Sequence, residues 1–209
     1  MKSWQRALVV LSIAQLLSSV GFSMIFPFLP NYVEALGSRT GISLAFWAGA
    51  VFSSQAVAMM IASPLWGAAA DRFGRKPMVV RALFAGSVVV LLMGFVGSAE
   101  ELTLLRTIQG LLTGVGSAAN ALMASIAPRR RAGYALGLLQ TAMWSGVAVG
   151  PVLGGILADL YGFRVAFVVT GVLLFVGGIL VVLFVQEEFE PRTRTAGGSV
   201  MREWGAILR

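Results

Sequence analysis

The chain has 209 residues, 57% of them hydrophobic and only 12% charged, with a mean hydropathy of +0.85, which places it outside the soluble globular class. It has no cysteine and no histidine, which excludes disulfides, thiolate nucleophiles, Cys/His zinc sites and imidazole proton relays. The net charge of +7 does not point to nucleic acid, because the basic residues sit in short segments between apolar runs and not on one soluble face.

After a basic start, no charge occurs from residue 7 to residue 33, and a first membrane span is expected over 7–29. The run is too long for a secretory signal peptide, shows no small-residue cleavage site and is followed by more spans. Ser12, Gln15, Ser19, Ser23, Phe26 and Pro30 recur at helical spacing and give this span one polar or aromatic face. Pro27 and Pro30 should kink or end it at its outer mouth, near Glu34 and Arg39.

A second span is expected over 43–70, with Gln55 as its most polar interior residue. Gly67, Asp71, Arg72, Gly74, Arg75 and Lys76 then form a dense charged turn. Such charges belong outside the hydrocarbon, since each would cost about 2.5–3.5 kcal/mol at a helix centre. A third span over 77–97, nearly all Val, Leu, Met and Gly, is expected to face lipid or scaffold its neighbours. Ser98 to Glu101 form an acidic outer turn.

The fourth span, expected over 102–127, carries Arg106, Gly110, Thr113, Ser117, Asn120 and Ala124 as one continuous polar or small stripe. Arg106 either snorkels to the outer interface or turns inward to an anion, carbonyl or water. The fifth span, 133–158, follows the basic turn Pro128 to Arg131 and holds Gly146, Gly150 and Gly154 at four-residue steps, with Pro151 inside and Gly155 after. Such a ladder lets two helices approach closely in lipid. Gln140 and Trp144 lie about a quarter turn from it, free to line a cavity. A sixth span is expected over 165–185, and 186–209 reads as a cytoplasmic linker with a short amphipathic helix near Met201 to Leu208.

Counted on this topology, the inside segments hold thirteen basic residues and the outside segments only Arg39 and Arg164, so both termini are expected in the cytoplasm. Gly67, Asp71 and Gly74 recur as Gly155, Asp159 and Gly162, each 88 positions later and three spans away, which is the pattern of a 3+3 inverted repeat.

The Gly67-to-Lys76 turn resembles the signature loop between helices 2 and 3 of the major facilitator superfamily. Arg106-x-x-Gln109-Gly110 resembles the fourth-helix motif of its drug/proton antiporters, and the run from Gly146 to Gly155 resembles their fifth-helix signature. The resemblance covers the chain and is to the N-terminal half of a twelve-helix multidrug efflux transporter. It implies an all-α membrane bundle of six helices in a bacterial inner membrane, working by alternating access, with no cofactor, metal or nucleic acid. The partners it implies are the lipid bilayer, protons, a lipophilic small-molecule substrate, and a C-terminal six-helix half or a second copy. It also implies a gating role for the Gly67-to-Lys76 loop. Cavity walls from helices 1, 2, 4 and 5 would bring in Gln15, Phe26, Gln55, Asn120, Gln140, Met143 and Trp144, a mixture of amides, aromatics and methionine suited to varied cargo.

The resemblance links Arg106 to proton transfer. Acids lie deep in no span, so Glu34 and Asp71 are the only carboxylates near a pathway, and the proton site is otherwise expected in the other half. The chain ends in a linker where a seventh span would start. Half of a longer transporter is therefore the preferred reading, beside a product of a split gene, a half-size dimer, or a scaffold or regulator that transports nothing. Without Cys, His or a buried carboxylate pair an enzyme is not expected.

Overall fold

The structure is a computed structural model that describes residues 3–187. Those residues form eight α-helices and one 3-10 turn. The helices are α1 (Ser3–Ile25), α2 (Leu29–Leu36), α3 (Leu44–Phe73), α4 (Arg75–Met93), α5 (Ala99–Leu112), α6 (Val115–Ile126), α7 (Ala132–Tyr161) and α8 (Phe163–Phe184). Five of them, α1, α3, α4, α7 and α8, are long and apolar enough to cross a membrane.

The first span ends earlier than 29. Helix α1 stops at Ile25 and Pro30 sits in the first turn of the short helix α2, where a missing N–H costs nothing. The fourth span differs most. In place of one helix over 102–127 there are two, of 14 and 12 residues, separated at Thr113 and Gly114. Gly114 has φ +132°, a conformation open to glycine and strained for other residues, so the expected continuous stripe turns at this point. Arg106, Gly110 and Thr113 are buried, whereas Ser117 and Ala124 are exposed. The proposed amphipathic segment at Met201 to Leu208 lies outside the described residues.

With no hydrophobic drive between helices in lipid, close packing and polar contacts must hold the bundle together. Both are visible. A Cβ on Gly146 would stand 2.7 Å from Ser19 Cβ and 2.9 Å from Leu16 O, one on Gly150 would strike Ser23 Oγ and Val20 O, and one on Gly154 would strike Met24 O. Helix α7 thus lies backbone to backbone on α1, while Gly155 points into open space. Gly110 approaches the Gln55 carbonyl and Ala58 in the same way and joins α5 to α3. Hydroxyls cross between helices to backbone carbonyls: Ser23 donates to Gly146 O at 3.0 Å, Ser87 to Gly171 O at 2.7 Å, Thr170 to Gly21 O at 2.9 Å and Tyr32 to Met93 O at 2.9 Å. Helices α4 and α8 pack on each other and on α1, α5 and α6, making the interior scaffold.

The long helices α3 and α7 are different. Of their most apolar windows only 11% and 17% of residues are buried, against 39–61% in α1, α4 and α8. Met60, Leu65, Trp144, Val152 and Leu160 stand exposed on them.

Candidate functional site: a buried arginine and two polar faces

Arg106 turns inward. It is 1% exposed, and its NH1 donates to Gln55 Oε1 at 3.0 Å and to Gln109 Oε1 at 3.1 Å. Three features place it there. The close approach of Gly110 brings α3 within reach, Gln109 lies one turn along the same helix, and Gln55 presents its amide from α3. Its Nε and NH2, and Gln109 Nε2, are buried without partners. Among the described residues the ion pair is Arg39–Glu101, at 2.8 Å, so no carboxylate of this bundle neutralises Arg106.

The cavity residues suggested by the sequence fall into separate groups. Gln55 is engaged by Arg106. Gln15 is buried, and Gln15 and Met143 meet at the first turn of α6, 3.5 and 3.9 Å from where a Gly116 Cβ would stand. Phe26 is exposed near the outer end and stacks on Phe52, ring centroids 5.9 Å apart. Asn120 is half-buried on α6, and Gln140 and Trp144 are exposed on α7. A groove of about 390 Å3 runs along the exposed side of α3, walled mainly by Ala50, Val57, Ala58, Ile61 and Leu111, with Ser53, Ser54 and Thr107 as its polar members.

One end of the bundle is basic. The turn between α3 and α4 pivots on Gly74, φ +96°, which ends one helix and begins the next. Asp71 is exposed and has no ion pair, so Arg72 and Arg75 do not hold it. Arg72 lies over the Phe73 ring, and Arg75 NH1 donates instead to Ala121 O at 2.8 Å. Glu187, just after α8, accepts from the N–H groups of Arg75 and Lys76 at 2.9 and 2.7 Å, and Lys76 Nζ returns to Val182 O at 3.0 Å. This carboxylate fills the place of a helix cap, satisfying orphan N–H groups at the positive end of α4. Glu187→Ala is expected to lower stability by about 1 kcal/mol, read as a fall in melting temperature; an unchanged transition would show that the cap contributes nothing. Farther in, Trp66 Nε1 donates to Leu111 O at 2.6 Å, beside the break between α5 and α6, and the Arg81 guanidinium lies 3.2 Å above the indole centroid.

The opposite end carries an acidic clasp. Ser38 Oγ, the N–H groups of Arg39 and Thr40, and Thr40 Oγ1 all donate to Glu100 Oε1, at 2.8 to 3.1 Å. Arg39 also reaches Glu101, which accepts from Gly97 N. Desolvation pushes the Glu100 carboxyl up, but backbone and side-chain donors, Ser38 and Thr40 among them, outweigh it and hold the group at about 2. A depressed carboxylate stabilises the folded form above its unfolded pKa of about 4.3 and loses that contribution as pH falls towards about 2. Protection of the Thr40 amide, its exchange rate relative to an unstructured peptide at the same pH, is therefore expected to hold at pH 5 and fall between pH 4 and about 2, and the Glu100→Gln variant should lack this step. A step of equal size in the variant would assign it elsewhere.

Glu187, Glu100 and Trp66 were not singled out from the sequence. Glu187 stands 111 and 112 positions from its partners and Trp66 45 from its own, and only the tertiary fold reveals such pairings. The Ser98-x-x-Glu101 spacing is a helix-start signature that could have flagged the clasp.

The described residues thus form a bundle of apolar, membrane-length helices with a glycine turn at its basic end and an arginine held by amides inside it. A family model described as Major Facilitator Superfamily matches residues 11–209, and the chain belongs to that superfamily, as a multi-pass membrane protein. Multidrug resistance protein MdtG of Proteus mirabilis (strain HI4320) is 43% identical over 205 residues, covering 98% of this chain and 51% of that protein. Its namesake from Rahnella sp. (strain Y9602) is 45% identical over 189 residues, 90% of this chain and 46% of that protein. The crystal structure of the human organic anion transporter MFSD10 (TETRAN) superposes with a TM-score of 0.78 at 19% identity, over 91% of this chain and 50% of that one. The chain thus spans about half the length of the relatives it matches.

Proposed function

We propose that the chain is a six-span half of a proton-coupled exporter of lipophilic drugs in a bacterial inner membrane. It works by alternating access together with a second six-helix bundle, and its basic end faces the cytoplasm. The observation that carries this reading is the pair of 30-residue helices α3 and α7, left apolar and uncovered in a chain that matches half of its relatives. A second bundle laid on them would cover the α3 groove and enclose Phe26, Asn120, Gln140, Met143 and Trp144 as cavity wall.

Helices α5 and α6 measure ~21 and ~18 Å at 1.5 Å per residue. Neither crosses ~30 Å of hydrocarbon alone, but joined end to end they do, as a broken fourth span. The 3+3 repeat is supported by helices α3 and α7, each with 30 residues, an internal proline and a glycine of positive φ at its end. It is supported as well by the matching contacts of α7 on α1 and α5 on α3. Asp71, exposed and without an ion pair among the described residues, would meet a helix N-terminus of the second bundle when the basic end closes, a contact of about 0.3–1 kcal/mol if exposed. Arg106, charged and paired with no carboxylate among the described residues, is the group through which a proton on a neighbouring acid would be felt.

The cysteine-free sequence permits a direct test. In the assembled transporter, single cysteines at Gln140 and Trp144 should react with a membrane-impermeant maleimide, while cysteines at the exposed α8 positions Val172 and Phe175 should stay protected by lipid. Equal protection at all four would remove the water-filled cavity.

A further inference from the structure

The break at Gly114 leaves the start of a helix inside the bundle. The first-turn N–H groups of Val115, Gly116 and Ser117 lack intrahelical acceptors. Gly114, at the cap position, has no side chain to offer them, and Ser117 Oγ donates to Gly114 O at 3.0 Å, which leaves the amides unaddressed. Gln15 is 5% exposed, its Oε1 has no partner, and its Nε2 stands 3.5 Å from where a Gly116 Cβ would be. Met143 Sδ flanks the same point at 3.9 Å. The spot is open: Ser117 is exposed and Gly116 half-exposed. All six described carboxylate residues lie at helix ends or in turns, so nothing negative in this bundle competes for it.

We propose that the first turn of α6, with Gln15 opposite, is an oxyanion subsite that takes a small molecule with a carboxylate or phosphate-type group on an apolar body. The amides and the positive end of the helix dipole address the anionic oxygens, the Gln15 NH2 supplies a side-chain donor, and Met143 touches the apolar body. Half-helix N-termini exposed within a membrane serve transporters in this way. The subsite deepens the transport reading, and rests on it, by making anionic cargo preferred over cationic cargo at this wall.

The test is a titration of the full chain, 15N-labelled at glycine and held in lipid nanodiscs, with benzoate and with its neutral isostere benzamide. The Gly116 amide resonance is identified by its loss in Gly116→Ala, whose Cβ meets only ordinary contacts. Benzoate should move it downfield in a saturable way, at concentrations where benzamide does not. Gln15→Glu, which puts a fixed negative charge at the subsite, should weaken benzoate about tenfold or more, and Gln15→Leu should weaken it several-fold. A resonance that benzoate does not move, equal shifts from both compounds, or undiminished benzoate shifts in both variants would overturn the proposal. Equal shifts would still leave the cavity reading standing. A selective benzoate shift in a chain that fails in transport would support the subsite without that reading.

Discussion

Alanine at Gly154 is expected to destabilise the bundle by about 3 kcal/mol, while alanine at the adjacent Gly155 leaves it unchanged or stabilises it by up to about 1 kcal/mol. The two residues share a helix and a chemical type. They differ in that a Cβ on Gly154 would be driven into the Met24 backbone carbonyl, and one on Gly155 meets nothing within 4 Å. Backbone cannot yield as a flexible side chain can, so the first substitution must separate α7 from α1 along the ladder and break the Ser23 to Gly146 bond. The second only gains helix propensity. Thermal unfolding in detergent, followed by tryptophan fluorescence, reads both. Equal melting temperatures for the two variants would remove the close-contact role of the ladder.

The second large effect concerns Arg106. Arg106→Met is expected to reduce gradient-driven transport at least tenfold while thermal stability holds or rises. An arginine at a helix centre costs about 2.5–3.5 kcal/mol on insertion scales. Here two of its nitrogens find no partner, and no carboxylate among the described residues offsets the charge. Methionine has nearly the same reach and none of that cost, and Gln55, only half-buried, can turn its amide elsewhere. Burying a charge so incompletely satisfied is a poor way to hold a bundle together, which argues that it is kept for function. A melting temperature lowered by several degrees with transport intact would make Arg106 a structural residue.

Much of this was legible in the sequence because it depends on local spacing. Glycines at four-residue steps must lie on one helix face, and the charge-dense turn around Gly74 must leave the hydrocarbon whatever else the chain does. The direction of Arg106 was not legible, because Gln55, 51 positions away, decides it. Nor was the break between α5 and α6. Glycine is frequent in membrane helices, and nothing local separates Gly114, with φ +132°, from Gly110, which stays helical and serves as a contact. The resemblance implied one set of cavity residues, yet Gln55 is engaged by Arg106 while Gln15 and Met143 lie against the first turn of α6, since helix rotation is set by packing and not by residue type.

The most direct test of the account is pH-gradient-driven efflux of a lipophilic fluorescent dye from liposomes that hold this chain together with the separately produced C-terminal half of the Proteus mirabilis relative. Efflux should need both halves and the gradient and be lost with Arg106→Met. Folded, assembled halves that move no dye, or efflux that Arg106→Met leaves unchanged, would contradict it.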